Sequence, residues 1–241
     1  MTETRERPCS FDLEAADPYC IDPETAAERL RHHPWRRFAV LGDSVTAGVR
    51  GPLDGYRDES FAERLVSALA STRPGFEAVN LAVPYLTVSE IREVQLEPAL
   101  AFAPDAVLIS AGGNDAFNPY DPDRLRTELE LLLRPLAERG AVVLTVGLFD
   151  LARSGLVRAE EAADMADRFD TLDRITAETT QSLGGIHIDT HHHPLAADPD
   201  IYARDRIHGN ARGHAVAFAA IVDAIGRPGG RDSLALPEAI S

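Results

Sequence analysis

Short apolar runs recur along the chain, and longer segments with a helical spacing of apolar residues separate them. Five of these runs are typical of strands, and they cover residues 37–41, 78–82, 106–109, 141–146 and 186–188. Strands that alternate with helices indicate a parallel sheet joined by crossover helices. Because the runs show no regular alternation of apolar and polar residues, helices are expected to cover both faces of the sheet. The pattern therefore predicts an α/β fold with five parallel strands.

Local signals mark where two of the connecting helices begin. Thr87 and Glu90 have the spacing of a capping box, in which each side chain bonds a backbone N–H of the first turn. Asp121 followed by Pro122 is typical of an N-cap and a first helical residue. The apolar residues that follow Pro122 repeat at helical spacing, and we predict that they face the core: Leu125, Leu129, Leu132, Leu133 and Leu136.

The length of the chain favours one domain. A chain of 241 residues can bury a large core, and α/β chains of this length commonly fold as a single unit. Residues 1–33 and 228–241 lie outside the alternation of strands and helices and are rich in Pro, Gly and charged residues. We therefore predict an N-terminal arm over residues 1–33, a main domain over 34–227 and a C-terminal tail over 228–241.

Composition and charge exclude several classes of partner. The chain is 44% hydrophobic and 26% charged, as in ordinary globular proteins. Its formal net charge is −15, from 24 basic and 39 acidic residues, so its surface repels phosphate backbones and anionic membranes. No apolar run has the length of a membrane span, and the first twenty residues lack the apolar core of a secretory signal. The sequence predicts no nucleic-acid partner, no membrane partner and a cytoplasmic location.

The two cysteines do not indicate a disulfide scaffold. Cys9 and Cys20 both lie in the predicted arm, and a single pair is too few to staple a fold of this size. We favour two reduced thiols, and a local bridge between them stays open.

Small and polar residues follow the predicted strands at the points where the strands end. Gly42-Asp43-Ser44 comes after the first strand, residues 80–83 end the second, and Gly112-Gly113-Asn114-Asp115 comes after the third. A further block, Asp205-Arg206-Ile207-His208, follows the fifth strand. Parallel sheets bind ligands beyond the carboxyl ends of their strands. We therefore expect these four blocks to meet at one edge of the sheet.

The four blocks resemble those of the SGNH (GDSL) hydrolase family, in the family's order and over most of the chain. The Ser, Gly, Asn and His of that family's name lie in four separate motifs. The resemblance implies a three-layer α/β/α, flavodoxin-like domain with strand order 2-1-3-4-5. It also implies an ester hydrolase that needs no metal or other cofactor, with residues 34–227 as its catalytic domain and a small-molecule ester as its substrate.

The chemistry of acyl transfer fits three residues of these blocks. A serine hydroxyl becomes a nucleophile when a base removes its proton, and a histidine base needs a group that fixes its tautomer. Ser44, His208 and Asp205 supply these roles, and the spacing of three residues lets one loop carry both Asp205 and His208. We predict an acyl-enzyme on Ser44 formed from an ester, or a thioester, of a small or medium acyl group. Acetate is favoured because no segment suggests a long acyl tunnel.

The resemblance also implies three donors for the negative oxygen of the tetrahedral intermediate. These are the backbone N–H of Ser44, the backbone N–H of the second block and the side-chain amide of Asn114. The second-block position holds Ala82 where the family has glycine. An alanine keeps the N–H donor where φ is negative, but its methyl group then borders the oxyanion site.

Two other functions stay open at this point. The same Ser, His and Asp could pass the acyl group to an alcohol or amine, which would make the protein an acyltransferase. A catalytically silent, flavodoxin-like binding module would keep the fold without the chemistry, and the alanine at position 82 favours it. In such a module Ser44 would be only a helix N-cap, and Asn114 only a turn residue.

Metal and nucleotide binding are disfavoured. The run His191-His192-His193 lies on one loop, and consecutive residues rarely converge on a single ion. The strand-end loops lack the Gly-x-Gly-x-x-Gly spacing of dinucleotide-binding proteins, and no phosphate-binding Lys follows them.

Overall fold

A single parallel sheet of five strands organises the computed structural model, which describes residues 11–226. The strands are β1 (Arg37–Gly42), β2 (Glu77–Asn80), β3 (Ala106–Ser110), β4 (Val142–Val146) and β5 (Ile186–Ile188). Their order is β2-β1-β3-β4-β5, and every pairing is parallel. The predicted strands and the predicted order 2-1-3-4-5 are both confirmed.

Helices connect successive strands and flank the sheet. Two precede β1, namely α1 (Asp12–Ala16) and α2 (Pro23–Leu30). The connecting helices are α3 (Ser44–Ala47), α4 (Phe61–Ser71), α5 (Val88–Phe102), α6 (Gly113–Phe117), α7 (Pro122–Glu138) and α8 (Ala159–Ser182), and α9 (Ala211–Ile225) follows β5. Two short 3-10 helices cover Leu151–Arg153 and Pro199–Ile201. The predicted caps are present: the Thr87 N–H donates to Glu90 at 2.8 Å, and Asp121 accepts two N–H groups of α7 at 3.1 Å.

No helix in residues 11–226 combines the length and the apolar character that crossing a lipid bilayer requires.

Two apolar cores form on opposite faces of the sheet because successive strand residues point to opposite sides. Phe38 and Val40 of β1 pack toward α2, α4 and α9, whereas Ala39 and Leu41 pack toward α5, α7 and α8. All five predicted leucines of α7 are buried in the second core. The prediction that helices cover both faces is confirmed.

The predicted arm contains α1 and α2, and α2 belongs to the first core. Ala26 and Leu30 of α2 are fully buried against α4 and α9.

Burial raises the pKa of the Cys20 thiol to about 12, so this thiol is protonated at neutral pH. Cys9, which a local bridge would require, and the predicted tail over 228–241 lie outside the described residues.

A glycine sets the turn at the end of the central strand. Gly42 has φ of 140°, and a Cβ there would lie 2.3 Å from the Ser110 carbonyl oxygen of the neighbouring strand. A side chain at this position would therefore be strained and would separate β1 from β3. The glycine lets the chain leave the sheet abruptly and begin α3 at Ser44.

Candidate active site

Three predicted residues form one line of hydrogen bonds at the carboxyl edge of the sheet. The Oγ atom of Ser44 lies 2.8 Å from Nε2 of His208, although 164 positions separate the two residues. Nδ1 of the same ring lies 2.7 Å from Oδ2 of Asp205. Ser44 and His208 are buried, whereas the Asp205 side chain is 46% exposed. The structure therefore brings the predicted hydroxyl, imidazole and carboxylate together.

Ser44 is the first residue of the short helix α3. The carboxylate of Asp43 caps this helix by accepting the Val45 N–H at 3.1 Å, and Thr46 Oγ1 donates to the Ser110 carbonyl at 2.9 Å. The first N–H groups of a helix have no acceptor within the helix. The Ser44 N–H is therefore in a suitable position to bond an oxygen bound next to its hydroxyl.

One carboxylate fixes both the backbone and the ring of His208. Oδ1 of Asp205 accepts the N–H of Ile207 at 3.0 Å and that of His208 at 3.1 Å. Burial acts to raise the pKa of Asp205, but the hydrogen bonds from the His208 ring and from these two N–H groups hold it below its usual value. With Asp205 ionised, Nδ1 of the ring is the donor. Nε2 of the neutral ring is then free to accept the Ser44 hydroxyl proton.

The two other predicted oxyanion donors already have acceptors. The Asn114 amide nitrogen is 3.0 Å from the Leu86 carbonyl and 3.3 Å from Oδ2 of Asp43. The Ala82 N–H donates to the Asn80 side chain at 3.0 Å. Asn114 lines the same cavity as Ser44, but Ala82 is not among the described residues that line it.

Asp43, to which the sequence assigns no catalytic role, contacts two parts of the site. Its side chain is almost fully buried, and it joins the first turn of α3 to the Asn114 amide through its two oxygens. Burial raises the pKa of Asp43 to about 6. Asp43 therefore connects the blocks that carry the hydroxyl and the carboxamide. The only sequence signal was its position at a strand end.

The raised pKa of Asp43 predicts a pH-dependent difference in stability between the wild type and Asp43→Asn. An aspartate in the unfolded chain has a pKa of about 3.9. Between that pH and about 6 the folded protein binds more protons at Asp43 than the unfolded chain does, so this group lowers the free energy of unfolding as the pH rises. Asp43→Asn does not titrate, and its stability relative to the wild type should rise from pH 4 to pH 7. Urea unfolding at both pH values measures this, and a difference that does not change with pH would contradict the assignment.

An apolar pocket opens beside the Ser44 hydroxyl. Its cavity volume is about 190 Å³, and it is lined mostly by apolar side chains, among them Phe117, Leu148, Phe149, Leu151, Phe169 and Tyr202. No Arg is among the described residues that line it. Tyr85, Phe117 and Ile207 remain 72%, 45% and 51% exposed at its rim. The pocket can therefore hold an uncharged, apolar part of a ligand next to the nucleophile.

The three consecutive histidines point to different partners. His191 contacts Asp170 at 2.9 Å, His192 contacts Asp189 at 3.0 Å, and His193 accepts a backbone N–H. Within residues 11–226, Asp173, Asp189 and His192 have ligand-type atoms that lie within 4.8 Å of one another. None of these three lines the pocket beside Ser44.

The chain is similar to one protein family and to several solved structures. A model of the GDSL-like lipase/acylhydrolase family matches residues 40–216. No curated protein sequence matches the chain. The structure of Axe2, an acetylxylan esterase from Geobacillus stearothermophilus, superposes on this chain with a TM-score of 0.64. The two sequences are 20% identical, and the match covers 80% of this chain and 95% of the Axe2 chain.

Two further solved structures show the same fold. TesA is 17% identical and has a TM-score of 0.63, over 78% of this chain and 97% of its own. The psychrotrophic esterase EstA from Pseudoalteromonas sp., in a structure inhibited by monoethylphosphonate, is 15% identical and has a TM-score of 0.60, over 79% of this chain and 96% of its own. At these identities the similarity establishes a shared α/β architecture.

Proposed function

This chain belongs to the GDSL-like lipase/acylhydrolase family and is a carboxylic ester hydrolase, and we propose that it acts through an acyl-enzyme on Ser44. The observation that supports the proposal most directly is the unbroken line from Ser44 Oγ through the His208 ring to Asp205, with contacts of 2.8 and 2.7 Å. Solved structures of Axe2 include catalytic mutants at a serine, at an aspartate and at a histidine three positions after that aspartate. Asp205 and His208 have the same spacing.

In the first half of the reaction Ser44 takes the acyl group. His208 Nε2 accepts the hydroxyl proton while Ser44 Oγ bonds to the carbonyl carbon of the ester, and the ionised Asp205 stabilises the imidazolium that forms. The tetrahedral intermediate then collapses, the bond to the alcohol oxygen breaks, and His208 gives the proton to the leaving alcohol. The products of this half are a free alcohol and an ester on Ser44.

In the second half water replaces the alcohol. His208 takes a proton from the water as its oxygen attacks the acyl carbon, and then returns the proton to Ser44 Oγ as the acid leaves. The Ser44 N–H and the Asn114 amide are the proposed donors to the negative oxygen in both halves. The Ala82 N–H is the third proposed donor, and it can bond the negative oxygen only after its hydrogen bond to the Asn80 side chain breaks. Catalytic hydrogen bonds commonly tighten only when substrate is bound.

The pocket supports an apolar acyl group of medium size. Apolar cavities of about 150 Å³ in proteins bind benzene, and the pocket beside Ser44 has a volume of about 190 Å³. Acetate, which the sequence favoured, would leave most of this apolar surface in contact with water. We therefore propose an acyl chain of about six carbons, or a ring of similar size, as the group that this pocket takes.

The acyl preference is tested with p-nitrophenyl esters from acetate to octanoate. Each methylene buried in the pocket contributes about 0.8 kcal/mol, so kcat/KM should rise by up to about fourfold per methylene until the pocket is filled. The variant Phe117→Ala should lower kcat/KM for hexanoate and leave that for acetate close to the wild-type value. If acetate were the best substrate of both proteins, the assignment of the pocket to the acyl group would be wrong.

The charge of the chain bears on its partners. A formal net charge of −15 disfavours nucleic acid and anionic lipid surfaces as partners. We propose that the enzyme acts in the cytoplasm on a free, uncharged ester.

A further inference from the structure

The N-terminal segment precedes the part of the chain that matches the family, yet it packs against the domain through charged residues as well as apolar ones. The match begins at residue 40. In α1 and the turn after it, Glu14 is only 5% exposed and the Asp17 side chain only 4%. Burying a carboxylate costs free energy unless the group is paired. Each of these two buried carboxylates therefore needs bonding partners, and those partners identify the parts of the domain that the segment contacts.

Glu14 fixes the loop that follows α3. Its carboxylate accepts the backbone N–H of Arg57 at 2.8 Å and the buried guanidinium of Arg64 at 2.6 Å. Its own backbone N–H donates to the Gly55 carbonyl at 3.0 Å. The loop over residues 50–58 is thus held between α1 and α4.

The same loop pairs with the segment that carries His208. The Gly51 N–H donates to the Gly209 carbonyl at 3.3 Å, and the Gly51 carbonyl accepts the Ala211 N–H at 2.9 Å. These bonds lie on either side of Asn210, the N-cap of α9. Through the loop, Glu14 therefore constrains the backbone directly after the histidine.

Asp17 reaches that segment without an intermediary loop. Its Oδ2 atom accepts Nε–H of Arg212 at 2.8 Å and the hydroxyl of Tyr56 at 2.8 Å. Arg212 lies in the first turn of α9, and its guanidinium is also 3.6 Å from Asp198. Arg212 therefore joins the N-terminal segment to chain on both sides of His208.

We propose that Asp17 and Arg212 are positioning residues for the His208 ring, and that residues 14–17 of the N-terminal segment brace the active site. The proposal rests on the esterase function proposed above. Asp205 orients the His208 ring, but the Asp205 side chain is 46% exposed and is therefore not fixed by surrounding protein. The position of the ring then depends on where the backbone of residues 205–208 is held. A mispositioning of about 1 Å at a reacting group can cost as much as 100-fold in rate. Weakening the Asp17 to Arg212 pair should therefore slow the chemical step more than it weakens substrate binding.

The test compares Asp17→Asn with a matched control in the same segment. Arg29 of α2 pairs with Asp223 near the far end of α9, so Arg29→Ala breaks a second ion pair between the same segment and the same helix. We expect Asp17→Asn to lower kcat on the order of tenfold with KM within about twofold, and Arg29→Ala to leave both constants unchanged. The double variant Asp17→Asn/Arg212→Gln should be no slower than the slower single variant, because both changes weaken the same interaction, the pair between Asp17 and Arg212.

Amide hydrogen exchange gives a second readout that does not depend on activity. In Asp17→Asn, the amides of residues 203–212 should exchange faster than in the wild type, whereas in Arg29→Ala they should not. An unchanged kcat and unchanged exchange in Asp17→Asn, in a wild type that hydrolyses esters, would overturn the brace. Absence of ester hydrolysis in the wild type would instead overturn the proposed function, and exchange alone would then decide the brace.

Discussion

Replacement of Ser44 by alanine is expected to lower kcat for ester hydrolysis by at least about a thousandfold, and His208→Ala by a similar factor. The Ser44 hydroxyl is the proposed nucleophile, and it lies 2.8 Å from the ring nitrogen that would take its proton. Either change removes the covalent route. Because the two groups act as one unit, the double variant should be about as slow as either single variant. Steady-state rates on p-nitrophenyl hexanoate measure all three.

Two surface substitutions serve as controls for this loss. Ser182 donates to a carbonyl at the end of α8, and the His192 side chain is 68% exposed. Ser182→Ala and His192→Ala remove the same chemical groups away from the pocket, and we expect wild-type rates from both. All variants should keep the wild-type circular dichroism spectrum. A Ser44→Ala protein with the wild-type rate would contradict the nucleophile assignment.

Asn114→Ala is expected to lower kcat by a factor of about 10² to 10³ with little change in KM. A donor to the developing oxyanion acts mainly in the transition state, so its loss appears in the chemical step. The Asn114 amide lines the pocket beside Ser44 and is held there by the Leu86 carbonyl and the buried Asp43. Kinetics over a range of substrate concentrations separate the two constants.

The same variant also tests the alternative role of Asn114 as a turn residue. If Asn114 only shapes the turn after β3, its replacement by alanine should lower the melting temperature and leave the kcat of the folded protein unchanged. Rates are therefore compared well below the melting temperature of the variant. A change confined to KM would remove Asn114 from the oxyanion site.

The sheet could be predicted from the sequence because its signals are local. Five apolar runs separated by helical spacing determine the number and direction of the strands, since parallel strands need crossover connections. The order of the strands is not local, and it came from the resemblance of the four blocks to a family. The structure confirms both.

The contact between Ser44 and His208 followed from the chemistry of the residue types together with that resemblance. The sequence assigns Asp43 no catalytic role and leaves open that it caps the turn after β1. Its contact with the Asn114 side chain could not be predicted, because that side chain comes from a different strand end 71 positions away. No periodicity within the Asp43 segment reports that contact. Burial of Asp43 by the packed site is what raises its pKa to about 6.

The contacts of the N-terminal segment and the lining of the pocket could not be predicted either, because both depend on residues that are far apart in the sequence. Acidic residues near a terminus are typical of solvated chain, and nothing local to Glu14 reveals that Arg57 and Arg64 surround it. The apolar residues of the pocket come from separate loops and helices, among them Phe117 of α6 and Phe169 of α8. Only the folded sheet brings them together beside Ser44.

Covalent labelling of the purified protein with a fluorophosphonate, followed by intact mass measurement and peptide mapping, tests the activated serine most directly. We expect one adduct per chain, located on Ser44, with none on Ser44→Ala and much slower labelling of His208→Ala. A wild-type protein that takes up no label would be a silent module, and an adduct on a different serine would place the nucleophile elsewhere. Either result would contradict the acyl-enzyme on Ser44.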